Sequence, residues 1–490
     1  MAPPAPEPPL HVMLVCFPGQ GHINPFLRLA NLLASHGLRV TFTINLSTAR
    51  KMKSLPSSQC RSQELKLEPN TSSSSHSGAA VHFDFFDDGH DEESIKRVPL
   101  DQLMTLLEQT GRKALPEMVR KYADQGSPVS CFVSNPFLPW VSDVAATLDI
   151  PCAVLWIQSC ASFTTYYHFH NKLVEFPTPE DQERDVVLPG MPVMKHDEIP
   201  SFLHPTTPYG FLATAILGQF AHLDNVFCVL METFERLEEE IIGHVSKFCE
   251  VRPVGPLWLG AKASVGPGDL MEADDDCIGW LDRQEPGSVI YVSMGSIVGM
   301  SAQQRAEMAH GLMGSGLPFL WVVRPGHEEG EDADLGLPEG LGERGKVVRW
   351  APQEAVLGHV AVSCFVTHCG WNSTLEAIGS GKPVVAFPQW GDQVTDAKFL
   401  EEVFRVGVRM GRGDTWTKLV TREEVERCLR EVTVGPRAEE MRENAVRWKR
   451  EAEAAVEEGG SSERNVREFV EEVKKKSVEM TRRKTETTTF

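Results

Sequence analysis

Short apolar segments alternate with segments of helical period at the start of the chain. The run HVMLVCF (11–17) is continuously apolar, which is typical of a strand buried in a parallel sheet. A turn containing Gly19 and Gly21 follows, and Pro25 stands where the first helical residue is expected. The next apolar positions recur with a helical period: Phe26, Leu29, Ala30 and Leu33. LRVTFTI (38–44) has the composition of a second strand, so the pattern predicts a βαβ unit.

The second half of the chain repeats this pattern. VIYVSMGS (289–296) predicts a strand that runs into a glycine turn, and residues 302–313 predict a helix. Further strands are predicted at PFLWVV (318–323), KVVRW (346–350), residues 362–367 and PVVAF (383–387). Alternating strands and helices form parallel sheets covered by helices. The predicted fold class is therefore α/β, with two doubly wound parallel sheets.

A segment rich in Pro and Gly separates the two halves and suggests the domain boundaries. We expect an N-terminal domain over residues 1–250, a linker over 251–270 and a second domain over 271–458. Residues 459–490 begin with a charged helical stretch and end in KSVEMTRRKTETTTF, which we expect to be a disordered tail.

Charge and cysteine usage narrow the classes of partner. The 490 residues carry a formal net charge of −20, which disfavours nucleic acid or an anionic membrane as a partner. Eleven cysteines occur without CxxC pairs, so neither a zinc ribbon nor a disulfide framework is indicated. The first ten residues lack the basic and apolar regions of a secretory signal, and no apolar run is long enough to span a bilayer. We expect a cytoplasmic, monomeric protein.

The chemistry of the chain is concentrated in residues 350–393, WAPQEAVLGHVAVSCFVTHCGWNSTLEAIGSGKPVVAFPQWGDQ. Within this stretch the strand Val362 to Thr367 runs through His368 into a helix. The free N–H groups at the start of such a helix, together with its dipole, favour a diphosphate. His368 can donate a further hydrogen bond to the phosphates, and Ser373 can add a hydroxyl.

Residues 350–393 also resemble, nearly position for position, the donor-binding signature of plant UDP-sugar-dependent glycosyltransferases of small molecules. The resemblance implies the GT-B fold, in which two Rossmann-like domains face a cleft and the last helix returns to the N-terminal domain. It implies the following donor contacts: Trp350, Ala351 and Gln353 to uracil, Glu376 to ribose, Ser296, His368, Asn372 and Ser373 to the diphosphate, and Trp371, Asp392 and Gln393 to the sugar.

The segment FPGQGHINP (17–25) contains the residue expected to handle the acceptor. His22 follows a strand end, where open α/β sheets bind ligands, and an imidazole with a pKa of about 6.5 suits proton transfer near neutral pH. By resemblance, His22 is the general base that removes a proton from the acceptor hydroxyl. We expect the acceptor pocket to include Gln20, Phe137, Gln158 and Trp390.

Asn135 departs from the family pattern. Most relatives carry an aspartate at this position of CFVSNPFLPWVSDVA (131–145), where it orients the histidine and stabilises its charged form. Asparagine carries no charge, so it cannot stabilise the charged form of the histidine. A related change from Asp to Asn in a hydrolase triad lowers the rate by about 10⁴. Either another carboxylate such as Asp88 substitutes, or the acceptor needs no strong base. A carboxylic acid, with a pKa of about 4, is already ionised at neutral pH.

Three further segments resemble the branch of the family that forms 1-O-glucose esters of aromatic acids: LPGMPVMKHDEIPSFLHP (188–205), SNPFLPW (134–140) and LWIQSCASF (155–163). This implies an inverting transferase that moves glucose from UDP-glucose, a co-substrate, to a small aromatic acid. The alternatives are O-glucosylation of phenolic hydroxyls and a non-catalytic nucleotide-sugar sensor, against which His22 argues. We expect no metal or other cofactor, because the possible DxD residues Asp274, Asp275 and Asp276 precede a helix whose N-terminus favours acidic groups.

Overall fold

The computed structural model describes residues 9–52, 81–95, 97–208, 210–260, 276–295, 299–324, 336–413 and 418–488. Within these ranges thirteen strands form two sheets, and all neighbouring strands are parallel. This confirms the predicted α/β class with two doubly wound sheets. In the described part of the chain, no helix is both long and apolar enough to cross a membrane.

The strands of the first sheet are β1 (His11–Val15), β2 (Arg39–Thr43), β3 (Val81–Phe83), β4 (Val129–Ser134), β5 (Cys152–Trp156), β6 (Cys228–Met231) and β7 (Val251–Pro253). Those of the second sheet are β8 (Val289–Ser293), β9 (Phe319–Val322), β10 (Gly345–Val348), β11 (Val362–Thr367), β12 (Val384–Ala386) and β13 (Gly407–Arg409). Their spatial orders are β3-β2-β1-β4-β5-β6-β7 and β10-β9-β8-β11-β12-β13.

The helices are α1 (Gln20–Ser35), α2 (Leu46–Ala49), α3 (Glu92–Ile95), α4 (Leu100–Asp124), α5 (Trp140–Thr147), α6 (Cys160–His170), α7 (Gly210–Gly218), α8 (Glu239–Val245), α9 (Leu257–Gly260), α10 (Cys277–Leu281), α11 (Ala302–Ser315), α12 (Gln353–Gly358), α13 (Trp371–Ser380), α14 (Gln393–Lys398), α15 (Arg422–Val434), α16 (Ala438–Val456) and α17 (Ser461–Thr488). Three 3-10 helices span Ser201–Leu203, Gln219–Asn225 and Leu341–Glu343, and a π-helix, Phe399–Val403, follows α14.

The order of strands places two crevices at corresponding points of the two sheets. In the first sheet β1 lies between β2 and β4, and in the second β8 lies between β9 and β11. The direction in which successive strands are added to the sheet reverses at β1 and at β8. The connections that follow the two neighbouring strands therefore lie on opposite faces of the sheet, and a ligand site opens between them at the carboxyl ends of the strands. His22 in α1 follows β1 and Asn135 follows β4, whereas Gly295 follows β8 and His368 follows β11. The candidate residues of both halves therefore lie beside these crevices.

The start of α1 differs from the prediction. The helix begins at Gln20 rather than Pro25, so His22 lies in its first turn and not in a glycine-rich loop. Pro25 lacks the N–H that would bond the Gly21 carbonyl four residues earlier. That carbonyl instead accepts a hydrogen bond from Asn372 Nδ2, at 2.7 Å. A contact from the second half of the chain thus compensates for a proline inside the helix.

Two other boundaries also differ from the prediction. Residues 251–253, at the start of the predicted linker, form β7 and pair with β6. Because β7 is an edge strand, it tolerates Pro253. The predicted disordered tail is helical to Thr488 as the end of α17. This stretch contains no Gly or Pro, and Met480 packs into a buried cluster of the N-terminal half.

The last helix returns to the first sheet. Ser462 Oγ donates a hydrogen bond to the Gly255 carbonyl at 2.6 Å, and Asn465 Nδ2 donates to that of Pro253 at 2.8 Å. Further along, the rings of Phe469 and Phe227 stack with centroids 5.9 Å apart. The helix α17 thus ties the C-terminus of the chain to the N-terminal half.

Candidate active site

A cavity of about 480 Å³ opens between residues of the two halves, a volume suited to a small-molecule ligand. It brings together most of the predicted donor residues: Trp350, Ala351, Gln353, His368, Trp371, Asn372, Ser373, Glu376 and Gln393. Two predicted acceptor residues, Gln20 and Trp390, line it as well. The described lining does not include His22, Asn135, Phe137, Gln158 or Asp392, and Ser296 lies outside the described residues.

Gln353 organises one side of this cavity through three hydrogen bonds. Its Nε2 donates to Ser373 Oγ at 2.9 Å and to Glu376 Oε2 at 2.7 Å. Its Oε1 accepts from the Tyr291 hydroxyl at 3.1 Å. These bonds orient the amide and hold the Glu376 carboxylate in the cavity. A carboxylate fixed in this way can accept hydrogen bonds from a pair of hydroxyl groups.

Glu376 also pairs with a cation from the opposite half of the molecule. Arg28 Nη2 lies 3.3 Å from Glu376 Oε1 and also contacts Glu354. Burial raises the pKa of the Glu376 carboxyl, and the charge of Arg28 acts in the opposite direction. The ion pair therefore favours the charged carboxylate inside the cavity.

The ring of His368 fits between two glycines. A Cβ atom would come within 2.5 Å of the ring at Gly295 and within 2.4 Å of it at Gly370. The buried His368 Nδ1 has no hydrogen-bond partner among the described residues. Burial, helped by the charge of Arg324, lowers the pKa of His368 to about 4, so the ring is neutral at pH 7. A neutral ring N–H beside the first turn of α13 can bind an anion.

Two residues predicted to contact the donor, Trp371 and Asn372, also contact the other half of the protein directly. Trp371 Nε1 donates to the Glu232 carbonyl at 2.6 Å, so the indole N–H is not available to a sugar. Asn372 Nδ2 is engaged by the Gly21 carbonyl, as described above. Both residues line the cavity, yet their side-chain donors join the two halves.

Two residues predicted to bind the sugar, Asp392 and Gln393, lie at the start of α14. Gln393 Oε1 accepts hydrogen bonds from the main-chain N–H groups of Gln389, at 2.9 Å, and Trp390, at 3.3 Å. These bonds fix the carboxamide at the rim of the cavity. Burial raises the pKa of the Asp392 carboxyl to about 6.

His22 is held by Asn135 between two aromatic rings. Its Nδ1 lies 3.0 Å from Asn135 Nδ2 and 3.2 Å from Asn135 Oδ1. The rings of Phe17 and Phe137 have centroids 5.0 and 5.1 Å from that of His22. Burial lowers the pKa of His22 to about 4, with a smaller opposing effect from the bond to Asn135.

Asp88 does not take the place of the missing aspartate. Its Oδ2 accepts hydrogen bonds from Asn45 Nδ2, at 2.7 Å, and from the Ser47 hydroxyl. In the described part of the chain, Asn135 is the side chain hydrogen-bonded to His22. Of the two alternatives left by the sequence, the structure therefore disfavours the substitute carboxylate.

Comparison with known proteins assigns the chain to a family. The model of the family described as UDP-glucoronosyl and UDP-glucosyl transferase matches residues 280–450. A gallate 1-beta-glucosyltransferase (84A23) of Punica granatum is 54% identical, over 96% of this chain and 92% of its own length. A cinnamate beta-D-glucosyltransferase of Fragaria ananassa is 49% identical, over 96% of this chain and 84% of its own length. The chain belongs to the UDP-glucoronosyl and UDP-glucosyl transferase family.

Solved structures of plant proteins share the fold of this UDP-glycosyltransferase. Os79 from O. sativa, in complex with UDP, is 32% identical with a TM-score of 0.80, over 94% of this chain and 100% of that one. Phytolacca americana UGT2, complexed with UDP-2fluoro-glucose and pterostilbene, is 25% identical with a TM-score of 0.76, over 95% and 100% of the two chains. These likenesses confirm the GT-B fold expected from the sequence.

Two of the residues that line the UDP-glycosyltransferase cavity but were not predicted from the sequence lie on α1. Asn24 and Arg28 line the cavity together with Gln20, at intervals of four residues along α1. Side chains four apart lie on the same face of a helix. Three polar residues at four-residue intervals in the helix that follows β1 are the sequence signal that could have revealed them.

The described residues of this UDP-glycosyltransferase contain no cluster of three His, Cys, Asp or Glu side chains that could hold a metal ion. Asp276 pairs with Lys346 and Arg283, each at 3.3 Å. Asp274 and Asp275 lie outside the described residues.

Proposed function

We propose that this UDP-glycosyltransferase transfers glucose from UDP-glucose to the carboxylate of a small aromatic acid, giving a 1-O-β-glucose ester. The observation that carries the proposal is that an amide, Asn135, holds His22 where a carboxylate is usual in the family. Such a site suits an acceptor that arrives without a proton to remove. The names of relatives about half identical to the chain, which specify gallate and cinnamate, support the same class of acceptor.

In this proposal the donor occupies the cavity on the side of the second sheet. Trp350 stacks on uracil, whose edge is bound by Gln353 and the main chain of Ala351, and Glu376 accepts from the ribose hydroxyls. The neutral ring of His368, the Ser373 hydroxyl and the N-terminal N–H groups of α13 bind the diphosphate. Gln393 and the main chain at Trp371 are near the glucose. Donors aimed at the departing UDP stabilise the charge that develops in the transition state.

The acceptor carboxylate lies near His22, with its aromatic ring against Phe17 and Phe137. Aromatic walls bury the ring of such an acceptor and favour edge-to-face contacts. One carboxylate oxygen attacks the anomeric carbon on the face opposite UDP. The new C–O bond forms as the bond to the β-phosphate oxygen breaks, and UDP departs with that electron pair. Inversion of the α-linked donor gives the β-ester.

Incubation with UDP-glucose and 4-hydroxybenzoic acid tests the proposal, because this molecule offers a carboxylate and a phenol at once. Mild alkali cleaves a glucose ester and leaves an aryl glucoside intact. We expect an alkali-labile product, and no comparable product from methyl 4-hydroxybenzoate, which lacks the free carboxylate. An alkali-stable glucoside as the main product from the acid would instead support phenol O-glucosylation.

We also propose that turnover needs no metal ion, since a helix N-terminus and His368 can bind the diphosphate. Full activity in EDTA is the expected result. Loss of activity in EDTA that Mg²⁺ or Mn²⁺ restores would refute this part of the proposal.

A further inference from the structure

The orientation of the Asn135 amide is fixed by a neighbour other than His22. The main-chain N–H of Phe137 donates to Asn135 Oδ1 at 3.0 Å. Flipping the amide would set its NH₂ group against that N–H, two donors facing each other. The orientation therefore leaves Nδ2 as the nearer group to His22 Nδ1, at 3.0 Å against 3.2 Å for Oδ1.

The two neutral tautomers of His22 satisfy these groups differently. If Nδ1 carries the proton, it shares Oδ1 with Phe137 and confronts the Nδ2 N–H at close range. If Nε2 carries the proton, the Nδ1 lone pair accepts from Nδ2, while Oδ1 keeps the hydrogen bond from the Phe137 N–H. Asn135 is 0% exposed, so water cannot compensate for an unpaired N–H. The second tautomer is therefore favoured.

We propose that Asn135 holds His22 as the Nε2–H tautomer, so that His22 gives the acceptor a hydrogen-bond donor instead of a base. Nε2 is on the ring edge away from Asn135, and no described residue makes a hydrogen bond to it. An aspartate at position 135 accepts only, which requires Nδ1–H and leaves Nε2 with a lone pair. Asn135 is thus a positioning residue that sets the chemistry of its neighbour.

This inference rests on the proposed carboxylate acceptor and explains how it is selected. One carboxylate oxygen accepts from Nε2–H while the other attacks the anomeric carbon, and no proton moves. A phenol in the same place carries a proton that the Nε2–H tautomer cannot remove. The same hydrogen bond therefore favours an ionised acid and disfavours a protonated hydroxyl.

Nitrogen NMR of the ¹⁵N-histidine-labelled protein tests the tautomer without any reference to activity. The His22→Gln spectrum identifies the His22 signals by their loss. We expect a protonated Nε2 and an unprotonated Nδ1 in the wild type, and the reverse in Asn135→Asp. A protonated Nδ1 in the wild type would overturn the proposal.

Two variants at position 22 test the role in turnover. The glutamine side chain keeps an N–H donor but cannot act as a base. The alanine side chain offers neither a donor nor a base. We expect His22→Gln to keep kcat/KM for an aromatic acid within about tenfold of wild type and His22→Ala to lose about a hundredfold. Neither variant should lose more on a phenol than on the acid, because wild-type His22 supplies no base in this account, and the UDP affinities of both variants should match the wild type. Equal loss of ester formation in the two variants would overturn the role of donor.

The two proposals can fail separately. If the wild type forms no ester from any aromatic acid, the proposed function fails and the part of the inference that concerns acceptor choice fails with it. The NMR result still decides the tautomer in that case. If esters form and Nδ1 is protonated, the proposed function stands and the tautomer assignment is wrong.

Discussion

At the scale of single residues, Arg28 links the two halves of the protein through the carboxylate of Glu376. The two side chains are 12% and 9% exposed, so loss of the cation would leave a carboxylate unpaired in the cavity. We expect Arg28→Gln to lower the free energy of unfolding by about 1–3 kcal/mol, as measured by urea denaturation. It should also raise the KM for UDP-glucose by about tenfold, because a protonated Glu376 accepts hydrogen bonds poorly.

Glu354→Gln is the matched control. It removes the charge of Glu354, the more exposed of the two carboxylates that contact Arg28. With 43% of that side chain exposed, the contact should contribute less than about 1 kcal/mol. Equal effects of the two variants would contradict the importance of the Arg28–Glu376 pair.

The pH dependence of ester formation follows from the low pKa of His22. Because burial lowers this pKa to about 4, the ring stays neutral as the pH rises above that value. The acid, with a pKa of about 4, is ionised over the same range. We therefore expect kcat/KM for an aromatic acid to be nearly flat between about pH 6 and 8. A phenol, with a pKa of about 10, should react about tenfold faster for each unit of pH. An equally steep rise for the acid would contradict the account.

At the scale of elements, the turn between β11 and α13 positions His368, which we propose binds the diphosphate. Gly370 has φ −58°, an ordinary backbone conformation, so alanine there adds no backbone strain. Its Cβ would, however, lie 2.4 Å from His368 Nε2 and displace the ring. We expect Gly370→Ala to raise the KM for UDP-glucose and lower kcat, by about tenfold in kcat/KM. Gly358→Ala is the control, since a Cβ there meets no atom within 4 Å. Similar kinetics for the two variants would contradict this role of the turn.

This same element explains why much of the cavity lining could be predicted from the sequence. Nine of the residues predicted to contact the donor line the cavity, and all nine come from the contiguous stretch 350–393. A buried strand, a turn and a helix in succession have few possible arrangements, so local pattern and family resemblance were sufficient. The strand predicted at 362–367 has the same bounds in the structure.

Contacts between distant parts of the chain could not be predicted in this way. Arg28 and Glu376 are 348 positions apart, and nothing near either residue in the sequence indicates the other. The early start of α1 involves a contact of the same kind, because the Gly21 carbonyl that Pro25 leaves without a helical partner accepts from Asn372. Likewise, nothing in the sequence indicates that the Trp371 indole N–H donates to the Glu232 carbonyl.

At the scale of the whole molecule, α17 packs on the first sheet through Phe469. This side chain is 1% exposed and stacks on Phe227. We expect Phe469→Ala to lower the free energy of unfolding by about 3–5 kcal/mol in urea denaturation. Val478→Ala, at a position 65% exposed in the same helix, should change it by less than about 0.5 kcal/mol. Equal stability of Phe469→Ala and wild type would show that α17 does not stabilise the N-terminal half.

Acceptor choice is the property of the whole molecule on which the account depends, since the donor cavity and the Asn135–His22 pair must act together. In Asn135→Asp, a carboxylate near the acceptor would repel an ionised acid by about 1–3 kcal/mol and turn Nε2 of His22 into a base. The donor residues are unchanged, so affinity for UDP should match the wild type.

The most direct test is the ratio of kcat/KM for a matched acid and phenol, such as benzoic acid and phenol itself, in wild type and Asn135→Asp. The account predicts that the wild type favours the acid and that the variant loses about tenfold on the acid while gaining on the phenol. An equal improvement on both acceptors in Asn135→Asp would contradict it.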